Sequence, residues 1–135
     1  MDSGKMIGSE KIKLTKRSVY CTFQFELIHC FDNVEQCGFD EVNYLKFAHR
    51  HLVKCKVEVP VYHNDRDVEF IMLKHSCENF IQQNKKSWPL RISMEMIADK
   101  LYDHVIETYG SDYSPVFIEV SEDGENGAIL RNKRW

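Results

Sequence analysis

The sequence predicts an α+β fold: a four-stranded antiparallel sheet with two helices on one face, in the order β-β-α-α-β-β. Three observations carry this. Two strand-length runs near the N-terminus alternate apolar with polar residues, the middle of the chain switches twice to a helical period, and alternation returns across an Asp-Gly turn near the end. No repeat, low-complexity stretch or linker divides the 135 residues. They read as a flexible N-terminal segment over 1–17 and a single domain over 18–135.

The first strand is Val19 to His29, where Cys21, Phe23, Phe25 and Leu27 alternate with Thr22, Gln24 and Glu26. Cys30 to Phe47 reads as a loop, broken by Asp32-Asn33 and Gly38. The second strand is His51 to Tyr62, with Val53, Cys55, Val57 and Val59 on one face and Lys54, Lys56 and Glu58 on the other. Pro60 cannot donate to a ladder, so it is expected at a bulge or an unpaired edge. A helical stripe follows at Phe70, Leu73, Cys77, Phe80 and Ile81, and Pro89 comes after its end. The second helix opens at Ser93, a preferred N-cap, and buries Met94, Ile97, Leu101, Val105 and Thr108 before Gly110. Val116 to Val120 and Ala128 to Leu130 complete the sheet across the turn Asp123-Gly124-Glu125-Asn126-Gly127.

Composition narrows the function. With 43% hydrophobic residues, this length buries roughly 68% of its unfolded surface and builds a core without disulfide staples. A net charge of −3 argues against a nucleic-acid partner, since such domains carry a basic excess. No apolar run approaches the ~20 residues of a membrane span, and no secretory signal is visible. Five cysteines without a C-x-x-C pair suit reduced thiols, so a cytoplasmic location without a membrane partner is expected.

The histidines carry the chemistry. His49 and His51 are separated by one residue, so period two places both imidazoles on one sheet face. His29 ends the preceding strand, and in an antiparallel hairpin that end lies beside the start of the next strand. Three imidazoles without a fourth protein ligand describe a catalytic zinc site with one open position. The competing reading is that they are surface or satisfied core histidines.

Five segments in register resemble the 6-pyruvoyl- and 6-carboxy-tetrahydropterin synthase family. Phe23-Gln24-Phe25-Glu26-Leu27-Ile28-His29 is similar to that family's F-x-F-x-A-x-H strand, and His49-Arg50-His51-Leu52-Val53-Lys54-Cys55-Lys56-Val57 to its H-G-H-x-Y-x-V-x-V strand. Val68-Glu69-Phe70-Ile71-Met72-Leu73-Lys74 resembles the V-x-D-F-x-x-L-K that opens the first helix. Ser93-Met94-Glu95-Met96-Ile97-Ala98 resembles the P-T-S-E-x-L-A of the second, without the proline. Val116 to Glu122, with Gly127 and Ile129, resembles the V-x-V-x-E-x-x-x-x-G-x-I ending.

The resemblance implies the tunnelling fold, in which trimers close their sheets into a barrel and two trimers stack into a homohexamer. It implies Zn2+ on His29, His49 and His51, and a pterin or purine-like ring held by Glu122, whose carboxylate accepts two parallel N–H bonds from the ring's amidine edge. Ser93 and Glu95, at the opening of the second helix, are further candidate substrate-binding residues. Capping is the alternative task for the Ser93 hydroxyl. The implied chemistry is loss of triphosphate from dihydroneopterin triphosphate or a relative, with proton transfer, in biopterin or queuosine-type biosynthesis.

Two elements of the family pattern are missing. Leu45 stands where the family has its proton-shuttling thiol, and 82–91 contains no Asp-His pair. Cys30, beside a ligand, and Cys37, on the loop, are the remaining catalytic candidates. His63 with Asp65 reads as a His–carboxylate pair, but twelve residues of strand place it roughly 40 Å from His51. His75 and His104 fall on helices as exposed or structural residues. The expected function is therefore a zinc-dependent pterin synthase-like lyase with an altered proton shuttle. The alternative is a zinc-containing ring-binding protein without lyase activity.

Overall fold

Strands β1 (Ser18–His29) and β2 (His49–Pro60) pair antiparallel over their full length, from Ser18 opposite Pro60 to His29 opposite His49. The computed structural model describes residues 16–31, 44 and 46–131. Cys37, Leu45 and most of the expected loop lie outside the described residues, as does 1–15 of the expected flexible segment. After β2 come helix α1 (Phe70–Asn84), helix α2 (Met94–Tyr109), β3 (Phe117–Glu122) and β4 (Asn126–Arg131). The sheet order is β1-β2-β3-β4, every neighbouring pair antiparallel, with both helices on one face. The α+β fold read from the sequence is the fold observed.

Alternation sets the two faces of the sheet. Phe23, Phe25, Leu27, Val53, Val57, Ile118 and Val120 are buried against Leu73, Cys77 and Ile81 of α1 and Ile97, Leu101 and Val105 of α2. Thr22, Gln24, Lys54 and Glu119 stand on the opposite, exposed face. Pro60 fits because the β2–β3 ladder stops at Phe117, the first residue of β3, opposite Glu58, so no ladder bond is required of it from that side. The Val61 N–H then resumes pairing with Arg17 O at 3.1 Å.

Two helix positions differ from the sequence reading. Phe70 is 53% exposed, as are its neighbours Ile71 and Met72 to a similar degree, because the first turn of α1 overhangs the core that begins at Leu73. Thr108 is exposed, and its hydroxyl bonds His104 O within the helix. The large buried residue on that side is Tyr102, whose hydroxyl meets Ser114 Oγ at 3.2 Å. The caps form as expected: Ser93 Oγ accepts from Met96 N–H, and Gly110 closes α2 at φ +98°.

The β3–β4 turn shapes the end of the sheet that carries the histidines. Asp123 and Gly124 both have positive φ (59° and 77°), and the Glu125 N–H closes the turn on Glu122 O at 3.0 Å before Asn126 pairs with Glu122. Gly127 is needed for close approach: a Cβ there would lie 2.1 Å from Val120 O. No helix among the described residues is long and apolar enough to cross a membrane.

Candidate metal centre

The β1–β2 register brings His29 directly opposite His49, and alternation places His51 on the same face. The three rings pack edge to face, with centroids 4.6 Å (His29–His49), 5.2 Å (His29–His51) and 4.8 Å (His49–His51) apart. Glu122 follows Ile118 and Val120 on the same face, in the terminal β2–β3 pair opposite Val53, and joins them. One ligand-competent atom from each of His29, His49, His51 and Glu122 lies within 4.8 Å of every other. This group could hold a metal ion.

Each imidazole is anchored through Nδ1. His29 Nδ1 is 3.0 Å from Ile92 O, His49 Nδ1 is 2.8 Å from Phe47 O, and His51 Nδ1 is 2.7 Å from Asp123 Oδ2. Carbonyl and carboxylate oxygens only accept, so the proton sits on Nδ1 in all three rings. In a neutral ring the Nε2 lone pair is then left facing the cluster. This is the second sphere expected around metal-ligating histidines.

Nε2 of His29 and Nε2 of His51 are buried without a hydrogen bond. His51 Nε2 does lie 2.9 Å from Glu122 Oε2, and His29 Nε2 lies 3.6 Å from Glu122 Oε1, but neither contact has hydrogen-bond geometry. Lone pairs therefore converge on a carboxylate. An imidazolium at His51 would relieve one of these contacts and leave His29 Nε2 orphaned. A cation among the four groups satisfies all of them, because buried polar atoms require partners.

Asp123 completes the arrangement. Its carboxylate accepts from His51 through Oδ2 and from Leu52 N–H through Oδ1 at 2.9 Å, while its own N–H donates to Leu52 O at 2.7 Å. The bond from His51, then that from Leu52 N–H, holds its carboxyl below the usual carboxylate range. The sequence reading missed this role. The only local signal was an acid at the positive-φ position of an Asp-Gly turn.

The other predicted residues are distributed as follows. Ser93 uses its oxygen as the α2 cap, directly after the Ile92 carbonyl that anchors His29. Glu95 is exposed in the first turn of α2. Cys30 is buried, and its N–H bonds Leu90 O at 2.8 Å, tying the chain after His29 to the approach of α2. Arg50 projects to the opposite sheet face and is exposed.

His63 lies at the far end of β2, and the carboxylate facing its Nε2 is Asp67 at 3.6 Å rather than Asp65, which pairs with Arg66. Asp67 is held there because it also accepts from Tyr62 N–H and Tyr113 O–H. His75 is exposed. His104 is half-buried on Phe80 with its Nε2 2.8 Å from Ser76 Oγ, and burial lowers its pKa.

Fold and site together define an α+β protein with a candidate three-histidine, one-carboxylate metal centre at one end of its sheet. No family model matches the chain, and no curated protein matches it.

Proposed function

We propose that this chain is a zinc protein of the pterin synthase type, taking a pterin or related purine-derived ring beside the metal at the His29 end of the sheet. The observation that supports this best is the set of three clustered imidazoles held by Nδ1, with Nε2 of His29 and of His51 buried and unpartnered beside Glu122. Three nitrogen donors in tetrahedral reach suit zinc. Bound zinc would supply Lewis acidity toward an oxygen of the substrate side chain, favouring loss of a neighbouring proton.

The protein's own groups divide the remaining work. The Ile92 and Phe47 carbonyls and the Asp123 carboxylate hold the ligand rings in one tautomer. Glu122, 29% exposed at the side chain, has access to solvent and offers two oxygens to an amidine edge. In the assembly we propose, two stacked trimers, the free edges of β1 and β4 would pair between subunits and remove the unpaired strands.

A second reading, ring binding without lyase chemistry, draws on the thiols. Leu45 holds the shuttle position, and Cys30 is buried. Incubation of zinc-loaded protein with dihydroneopterin triphosphate, followed by chromatography, decides between them. Release of triphosphate with a new tetrahydropterin supports the enzyme. Tight binding with unchanged substrate supports the binding protein, and neither result is compatible with a protein that ignores the ring.

A further inference from the structure

The geometry points to Glu122 as the fourth metal ligand of the ring-free protein, a carboxylate that ring recognition must withdraw from the metal. The metal half stands on the cluster itself, whereas the ring half rests on the function proposed above. Both Glu122 oxygens face ligand nitrogens, Oε2 toward His51 Nε2 at 2.9 Å and Oε1 toward His29 Nε2 at 3.6 Å. His29 is 7% exposed, and its Nε2 is one of the buried atoms without a partner. A carboxylate held at this spot occupies the place of a fourth donor, and a centre that reads as open from three histidines is closed.

The same carboxylate cannot do both tasks. A bidentate grip on an amidine edge uses both oxygens and aims them away from the imidazoles. Ligation keeps at least one oxygen on the metal. With its side chain 29% exposed, Glu122 has room to turn outward when a ring arrives. Turning outward opens a coordination position at the moment a ligand is in place, and leaves the centre closed otherwise. Linkage makes the competition reciprocal: metal weakens ring binding by the factor by which the ring weakens metal binding.

The test uses the full chain freed of metal, as wild type, Glu122→Gln and Glu122→Asp. Zn2+ affinity is measured by competition with a chromophoric chelator, and Co2+ is added separately to report coordination by its visible absorption. Pterin unsubstituted at C6 serves as the ring probe, because it has no side-chain oxygens with which to reach the metal. Loss of an outer partner alone costs about 10- to 100-fold in metal affinity, so loss of a ligand in Glu122→Gln should cost ~100-fold or more. The Co2+ spectrum should change with it, and Glu122→Asp should recover part of the affinity. Pterin should bind metal-free wild type on the order of 10-fold more tightly than the Zn2+ form.

Unchanged Zn2+ affinity and Co2+ spectrum in Glu122→Gln overturn the ligand assignment. Pterin affinity indifferent to Zn2+ overturns the competition. Pterin that binds neither form refutes the proposed ring and the competition together, while a loosened Zn2+ site in the same variant still supports the fourth ligand. Melting of the metal-free variants separates these outcomes from simple misfolding.

Discussion

Replacing Asp123 with Ala should loosen the metal centre without touching any ligand. Asp123 makes two bonds that no neighbour can replace: Oδ2 to His51 Nδ1 at 2.7 Å and Oδ1 to Leu52 N at 2.9 Å. Without them the His51 ring is free to rotate, and its tautomer is no longer chosen by an anion. Outer-sphere losses of this kind cost about 10- to 100-fold in metal affinity, and the upper part of that range applies here because one carboxylate fixes both the ring and its strand. Asp123→Asn should do no better. An amide offers one oxygen to two donors, so its NH2 must face Leu52 N–H or favour the tautomer that puts hydrogen on His51 Nε2, where a ligand lone pair is needed. Titration of metal-free protein with Zn2+ against a chelator measures the loss, and Co2+ absorption reports the disordered ligand. Either variant binding Zn2+ as tightly as wild type would refute the reasoning. The lowered Asp123 pKa also has a sign: its stabilising contribution is present above the ordinary carboxylate range and fades as pH falls through the lowered value.

Three further outcomes are expected. Leu101 is fully buried between α2 and the sheet, so Leu101→Ala should cost about 2–5 kcal/mol in denaturant unfolding; a cost below ~1 kcal/mol would contradict the packing described. Ser93→Ala removes the α2 cap and should cost about 1 kcal/mol, measured in the same way, while retained stability would show that the hydroxyl is not capping. The bond to Asp67, followed by burial, pushes the Tyr113 hydroxyl up to about 12, so the folded state loses stability as pH rises from the ordinary tyrosine value of ~10 toward 12. Tyr62 and Tyr109 are also raised, so ultraviolet titration should show several late tyrosines, of which the one near 12 becomes earlier in Asp67→Asn; an unchanged titration would remove Asp67 as its cause.

Much of the fold was legible because its forces are local. Alternation at Cys21, Phe23, Phe25 and Leu27 and the 3.6-residue stripe at Leu73, Cys77 and Ile81 encode which side meets the core. The convergence of His29 with His49 and His51 was also legible, since in an antiparallel pair the end of one strand lies beside the start of the next. What escaped was carried by long-range or backbone contacts. Asp123 reaches His51 across 72 residues, and its turn alone suggested only a bend. The carbonyls of Ile92 and Phe47 have no sequence signature at all, because any residue supplies one. Glu122 as a ring anchor is what the family resemblance implies; that its oxygens face His29 and His51 depends on the β2–β3 register, which local pattern does not specify. His63 was matched to Asp65 by proximity in sequence, whereas Asp67 is the acid that Tyr62 and Tyr113 hold in place.

The presence of the metal is tested most directly by elemental analysis of gently purified full-length protein, wild type beside His49→Ala. One zinc per wild-type chain is expected. The variant should hold far less while melting close to the metal-free wild type, since an open or displaceable site contributes less to folding than a closed structural one. Wild-type protein that contains much less than one metal ion per chain, and takes up none when zinc is supplied, would contradict a metal centre at His29, His49, His51 and Glu122.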